Sequence, residues 1–137
     1  MLKKAAHAGS SEAAFELGMA YANGTGGEMN FNYAYGYYLM AALQGNMKAQ
    51  YALAKLYMEG RGVPQEYKEM LKWLSRSANQ GYVLAQVALA DIRMTNQRLK
   101  NAADAYGWYS IIAAYNQDEV GKNLNKKFAI LLFITNL

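Results

Sequence analysis

The chain resembles itself when it is shifted by 36 residues, and this feature restricts its fold more than any other. One helix-sized segment and its copy share these positions: Ala13, Leu17, Tyr21, Gly24 and Gly26, then Ala49, Leu53, Tyr57, Gly60 and Gly62. Self-similarity at a period of roughly 20 to 50 residues is typical of stacked repeats rather than of one globular core. We therefore expect a solenoid in which each unit packs on its neighbours.

Each unit contains two helices, because a second set of positions shares the period. Its three copies are Ala34, Tyr37, Ala42 and Gly45; Met70, Trp73, Ala78 and Gly81; and, offset by 35, Ala105, Trp108, Ala113 and Asn116. Within the first set, Ala13, Leu17 and Tyr21 recur every four residues, which places them on one stripe of a helix. A unit is therefore helix A, a short loop, helix B and a tight turn.

The turn residues support this division independently. Three glycines follow the last apolar position of a helix B: Gly9, Gly45 and Gly81. Glycine is favoured there because the first residue beyond a helix often takes a left-handed conformation. Ser10 and Asn46 come next and are good N-caps for the following helix A. The single proline, Pro64, is predicted in the first turn of a helix B, where its missing N–H costs little.

Four strings carry a resemblance to a known family: AAFELGMAYANGTGG, AQYALAKLYMEGRGV, MLKWLSRSANQG and AYGWYSIIAA. They resemble the Sel-1-like repeat, a relative of the tetratricopeptide repeat, and the resemblance covers nearly the whole chain. It implies an all-α fold, a right-handed α-α superhelix of about three helix pairs. The chain departs from the family pattern at Gly27, where valine is usual, at Ala54 and Ala90, which replace a helix A glycine, and at Asn96 and Arg98, where the third loop has lost its glycines.

The predicted organisation is one domain, residues 1–137. It divides into a half repeat (1–9), three repeats (10–45, 46–81 and 82–116) and a capping helix (117–137). The opening residues 2–9 align with 74–81, so the chain is predicted to start inside a repeat, and either a longer array or a trimmed first unit would explain this. The apolar run 128–134 is shorter than the roughly 20 residues that a membrane span needs. The remaining interpretations of this run are a capping helix, an oligomer contact or the start of another unit.

Few residues suggest chemistry. His7 is the single histidine and cysteine is absent, so neither a histidine-based triad nor a multi-histidine metal site can be assembled. The loop 23–27 is rich in glycine, but no Gly-Lys-Ser/Thr follows it, and an inter-helix turn is the better interpretation. The chain carries a net charge of +4 with basic and acidic residues interspersed, which disfavours a nucleic-acid footprint. No catalytic residue, cofactor or metal is predicted.

Two carboxylate pairs have the spacing that general acid/base catalysis uses: Glu12 with Glu16, and Glu66 with Glu69. Acids at helical spacing are also ordinary on a solvated face, and no apolar pocket that would separate their pKa values is evident. An enzyme, a hydrolase acting on cell-wall or small amide substrates as suggested for some relatives, therefore stays an alternative. A purely structural fragment of a longer array is another.

The leading hypothesis is a noncatalytic scaffold or adaptor that binds a peptide or partner protein on the concave surface of its A helices. The resemblance implies this role, since bacterial Sel-1-like proteins act as adaptors in signalling, envelope assembly or host contact. The predicted contact residues are Glu12, Phe15, Glu16, Met19, Lys48, Tyr51, Lys55, Val87 and Asp91. Half-buried packing is an equally good interpretation of Phe15 and Tyr51. Self-association through open repeat ends is a further expectation, and the sequence leaves cytoplasm and periplasm both open.

Overall fold

The computed structural model describes residues 2–96 and 99–115, and within these ranges every regular element is an α-helix. The helices are α1 (Leu2–His7), α2 (Ser11–Asn23), α3 (Phe31–Leu43), α4 (Met47–Glu59), α5 (Tyr67–Asn79), α6 (Val83–Thr95) and α7 (Ala102–Tyr115). The predicted A helices are α2, α4 and α6, and the predicted B helices are α3, α5 and α7. Asn116 and the predicted capping helix 117–137 lie outside the described residues.

The helices pack in the pairs that the repeat requires. The chain divides into two compact units, residues 1–82 and 83–137. In the first unit α2 packs against α3 and α4 against α5, while α3 also packs against α4 and α1 against α2. In the second unit α6 packs against α7. Each helix of a pair therefore packs directly on the other helix of that pair. Within the first unit, α3 and α4 join one pair to the next.

The predicted caps are confirmed at both A helices of the first unit. The Ser10 hydroxyl accepts a hydrogen bond from the Ala13 N–H at 3.2 Å, and the Asn46 side chain accepts one from the Ala49 N–H at 3.0 Å. Gly45 has φ of 92°, which is the left-handed region that glycine tolerates best. The short turn between a helix B and the next helix A is thus encoded by adjacent residues.

The placement of Pro64 in a helical turn is wrong. Helix α5 begins at Tyr67, and its N-cap is Glu66, whose carboxylate accepts from the Lys68 N–H at 3.1 Å. Pro64 precedes this cap in a segment that runs back along α4, where the Glu66 N–H donates to the Tyr57 carbonyl at 3.1 Å. This backbone contact with the preceding helix delays the start of α5.

The seam between α2 and α3 depends on a glycine. A Cβ atom added at Gly18 would lie 2.4 Å from Cδ1 of Tyr38, whose ring is 5% exposed. The same two repeat positions hold Ala54 and Leu74 in the next pair, and both of these residues are buried. A larger residue on helix A is therefore accompanied by a smaller one on helix B, which keeps the interior of each pair filled.

Buried amide and hydroxyl groups hold α4 to α5 within its own pair and to α3 of the preceding pair. Gln50, 4% exposed, donates from Nε2 to the Ala42 carbonyl at 3.1 Å and accepts from Gln80 Nε2 at 2.8 Å. The Ser77 hydroxyl donates to the Met47 carbonyl at 2.7 Å. Since buried polar groups are costly unless they are paired, these bonds fix where α4 sits between α3 and α5.

The size match between positions 18 and 38 predicts that the effect of one substitution on the free energy of unfolding changes sign with the residue at position 38. Gly18→Ala should lower the free energy of unfolding by about 1–2 kcal/mol, because the clash with Tyr38 outweighs the gain in helix propensity. In a Tyr38→Leu background, the same substitution should instead raise it, because the pair then matches the one in the next repeat. Urea unfolding of the two single variants and the double variant measures this coupling.

Gly36→Ala is the matched control. Gly36 lies in α3 with nothing within 4 Å of an added Cβ, so this substitution should stabilise the chain by up to about 1 kcal/mol. A Gly18→Ala variant as stable as Gly36→Ala would contradict the size match.

Candidate functional site

Five of the predicted contact residues lie exposed on the A helices of the first unit. They are Glu12, Glu16 and Met19 on α2, and Lys48 and Lys55 on α4. Within the described residues, none of these four charged groups forms an ion pair. The two helices therefore present opposite charges, negative on α2 and positive on α4, that remain available to another molecule.

Phe15 and Tyr51 are half-buried and make contacts inside the chain. The ring of Phe15 packs on Tyr38 with centroids 5.9 Å apart, and the ring of Tyr51 meets the ring of Tyr82 edge to face at 5.5 Å. Burial raises the pKa of the Tyr51 phenol. The Lys55 ammonium lies 5.9 Å from the Tyr51 ring centroid. Both rings therefore pack inside the chain, and the Tyr51 ring also lies beneath the exposed ammonium of Lys55.

Val87 and Asp91 belong to the second unit. Val87 packs against a buried cluster made of Ala90, Ala105, Tyr109 and Ile112. Asp91 is partly buried and accepts a hydrogen bond from the Tyr109 hydroxyl. Burial and this hydrogen bond together raise the pKa of Tyr109. Both residues thus hold α6 against α7, whatever else they contact.

A cleft of about 190 Å³ lies among α2, α3, α4 and the loop after α4. Its lining residues are Ala22, Asn23, Phe31, Tyr38, Ala52, Lys55, Leu56, Glu59 and Arg61. Pockets for small molecules and cofactors usually measure about 300–1,000 Å³, so this cleft has room for one side chain of a partner rather than for a whole ligand.

Arg61 and Lys55 give the cleft its polar rim. The Arg61 guanidinium lies 3.1 Å from the Glu59 carboxylate and 5.1 Å, measured from Cζ, from the centroid of the Phe31 ring. Because Glu59 compensates Arg61, the ammonium of Lys55 is the positive charge at the rim that lacks a carboxylate partner among the described residues. The cleft therefore combines an aromatic and aliphatic floor with one uncompensated cation.

Of this lining, the sequence identified Lys55 as a contact residue and did not single out Arg61 or Phe31. Arg61 follows a glycine of the repeat loop and Phe31 is the first residue of α3, so helical periodicity marks neither of them as a surface position. The period of the loop could have indicated Arg61, because it places this residue beside the end of a helix A. No pattern in the sequence marks Phe31 as part of a site.

The cleft floor predicts a pH dependence of stability. Burial raises the pKa of the Tyr38 phenol from 10.0 to about 12. Because the folded-state pKa is the higher one, the neutral phenol stabilises the folded state fully below pH 10, and this contribution is lost as the pH rises through about 12. Tyr38→Phe should therefore make the alkaline loss of stability smaller. Urea unfolding on both sides of pH 10 tests this, and an unchanged alkaline loss in the variant would contradict it.

Three of the residues considered for chemistry, His7, Glu66 and Glu69, make structural contacts. The exposed ring of His7 stacks on Tyr37 with centroids 6.2 Å apart. Glu66 caps α5, and the Glu69 carboxylate lies 3.0 Å from the Lys72 ammonium. These contacts give the three side chains a structural role.

Two further properties concern the described part of the chain. Within residues 2–96 and 99–115, no group of three or more histidine, cysteine or acidic side chains is arranged to hold a metal ion. Across the same residues, no helix is both long and apolar enough to cross a membrane.

The described residues form paired helices on a fixed period, with exposed charges on the A helices and a cleft sized for a side chain. These features are typical of helical repeat proteins that mediate protein interactions. The chain belongs to the Sel1 repeat family, since the model of that family, described as "Sel1 repeat", matches residues 11–46 and 48–82. Sel1 repeats generally serve as protein–protein interaction scaffolds. The resemblance seen in the sequence is thereby confirmed.

Solved structures show the same fold. The chain is similar to c5321, a protective antigen present in uropathogenic Escherichia coli strains that displays an SLR fold, with a TM-score of 0.79 and 32% identity over 85% of this chain and 25% of that one. It is also similar to a Sel1 repeat protein from Oxalobacter formigenes, with a TM-score of 0.73 and 29% identity over 79% of this chain and 45% of that one. The all-α solenoid class is therefore confirmed.

The chain spans a quarter of the first of these structures and less than half of the second. The comparison with curated protein sequences found no match.

Proposed function

We propose that the chain is a noncatalytic interaction module that binds a peptide or partner protein across its A helices. The proposed contact residues are those predicted from the sequence: Glu12, Phe15, Glu16, Met19, Lys48, Tyr51, Lys55, Val87 and Asp91. One observation carries the proposal, namely that α2 and α4 present exposed charges without ion-pair partners among the described residues, and that one of these charges, on Lys55, lines a cleft sized for a single side chain.

The contact residues have different parts in this proposal. In the first unit, the exposed glutamates of α2 and lysines of α4 select the partner by charge, because complementary charges mainly govern orientation and the rate of association. The cleft provides the anchoring contact, since a side chain that fills a desolvated pocket contributes most to affinity. Phe15 and Tyr51 support the surface of the first unit through their ring contacts, and Val87 and Asp91 are the proposed contact residues of the second unit taken by itself.

Uncompensated charge favours a protein partner over a small substrate. A catalytic carboxylate pair needs surroundings that separate the two pKa values, whereas Glu12 and Glu16 are both exposed on α2. Alternating apolar and charged groups over two helices match an extended peptide or a partner helix, both of which offer side chains at regular intervals. The proposed module therefore recognises a polypeptide surface.

The experiment compares two variants with the same change in net charge. Lys48→Glu with Lys55→Glu reverses the charge of α4, while Lys68→Glu with Lys100→Glu reverses two exposed lysines elsewhere. Each immobilised chain is exposed to an extract of its source, and bound proteins are quantified by mass spectrometry. A partner should be retained by the wild-type chain and the control, and its affinity for the α4 variant should fall at least about tenfold.

Circular dichroism should be unchanged in both variants, because the four lysines are exposed. Equal retention by the α4 variant and the wild-type chain would exclude α4 as the contact surface. Equal loss in both double variants would show that net charge, rather than this face, governs binding.

A further inference from the structure

The cleft among α2, α3, α4 and the loop after α4 is lined by a buried hydroxyl-bearing side chain. This side chain is Tyr38, which is 5% exposed. Among the described residues its hydroxyl has no hydrogen-bond partner, and burial alone raises its pKa. Buried hydroxyl groups are nearly always paired, because an unmade hydrogen bond in the interior costs free energy. The Tyr38 hydroxyl is therefore a donor for which the described part of the chain supplies no acceptor.

The ring of Tyr38 reaches the cleft along α2. A Cβ atom added at Gly18 would lie 2.4 Å from Cδ1 and 2.6 Å from Cε1 of the ring, so one edge of the ring passes this glycine. Ala22 lies one turn further along α2 and lines the cleft together with Tyr38. Since the hydroxyl is at the tip of the ring, beyond the atoms that pass Gly18, it lies on the cleft side.

Two side chains bring positive charge to the rim of the same cleft. Lys55 is exposed, and its ammonium has no carboxylate partner in the part of the chain that the structure describes. Arg61 is compensated by Glu59, but that ion pair uses its Nε atom. Because a guanidinium has five N–H donors, the terminal nitrogens of Arg61 can donate to another group as well. The cleft therefore combines donors from three side chains with one uncompensated positive charge.

Four other lining residues are apolar: Ala22, Phe31, Ala52 and Leu56. Apolar walls suit the methylene groups of a side chain, whereas a set of donors requires an acceptor at the end of that side chain. The unpaired ammonium of Lys55 requires this acceptor to be anionic. The cleft thus matches a short hydrocarbon stem that ends in one negative charge.

We propose that the cleft binds the side chain of a glutamate in the partner polypeptide. The carboxylate accepts a hydrogen bond from the Tyr38 hydroxyl and lies against the ammonium of Lys55 and the terminal nitrogens of Arg61. The methylene groups of the glutamate pack on the apolar lining. This inference rests on the proposed function, and it specifies the chemistry of the partner at one position.

Charge and length distinguish a glutamate from related groups. A phosphorylated side chain carries about −1.5 to −2 charges near neutral pH, which exceeds the one uncompensated cation of the cleft. An aspartate has one methylene group fewer, so its carboxylate reaches less far towards the buried hydroxyl. A glutamine supplies an acceptor but leaves the charge of Lys55 without a partner.

Selection from a library of randomised synthetic peptides tests the proposal. The peptides have acetylated N-termini and amidated C-termini, so that carboxylates come from side chains alone. Peptides retained by the immobilised whole chain should share a glutamate at one position. In a retained peptide, replacement of this glutamate by glutamine should weaken binding by about tenfold or more, because hydrogen bonds to a charged acceptor are the stronger ones. Replacement by aspartate or phosphoserine should also weaken it.

Two variants of the chain identify the groups that hold the carboxylate. Tyr38→Phe removes the hydroxyl alone, and Lys55→Gln removes the charge of an exposed residue, so both should preserve the circular dichroism spectrum. Each variant should bind the retained peptide about tenfold more weakly and should discriminate less between glutamate and glutamine, because one partner of the carboxylate is missing. Tyr33→Phe and Lys68→Gln are the matched controls outside the cleft lining, and they should change neither value.

The outcomes separate this inference from the proposed function. Retained peptides without a shared glutamate would overturn the inference while the proposed function stands. Equal affinity for the glutamine peptide, tighter binding of phosphoserine, or a glutamate preference that survives in full in both Tyr38→Phe and Lys55→Gln would do the same. If the chain retains no peptide at all, the proposed function fails, and the inference that rests on it fails too.

Discussion

The close contact between helix A and helix B of each pair is the constraint on which the rest of the structure depends. Gly18 admits the ring of Tyr38, and this ring is at once the partner of Phe15 and the floor of the cleft. A larger residue at position 18 would displace the ring and change the cleft with it. The interior of the repeat and the surface that it presents are therefore not independent, because one aromatic side chain belongs to both.

Much of the fold follows from the sequence because the repeat presents each signal more than once. The caps at Ser10 and Asn46 and the glycine turn at Gly45 come from local backbone chemistry, and local chemistry is visible in a single sequence. The start of α5 was not predictable in this way. It depends on a hydrogen bond between Glu66 and the preceding helix, and spacing along the chain does not reveal such a contact.

The candidate site was predictable only in part. Helical periodicity identified the exposed charges of α2 and α4, because periodicity reports which direction a side chain faces. It did not identify the cleft, whose walls come from three helices and a loop. It also could not decide between a packing and a binding role for Phe15 and Tyr51, since a half-buried ring contacts its own chain and solvent together. Three-dimensional neighbours, rather than positions along a helix, determine these features.

The buried bonds made by Gln50 have a mechanical consequence. An apolar seam alone would let one helix pair slide over the next with a gradual loss of contact, but the Gln50 amide is held on both sides, by the Ala42 carbonyl and by Gln80. Sliding of α3 over α4 by even a fraction of a helical turn breaks the bond to the Ala42 carbonyl and leaves polar groups unpaired in the interior, because the bond to Gln80 keeps the Gln50 amide in place within its own pair. Under tension the junction within residues 1–82 should therefore resist up to a threshold and then part abruptly, so that the chain yields in a discrete step rather than stretching like a spring.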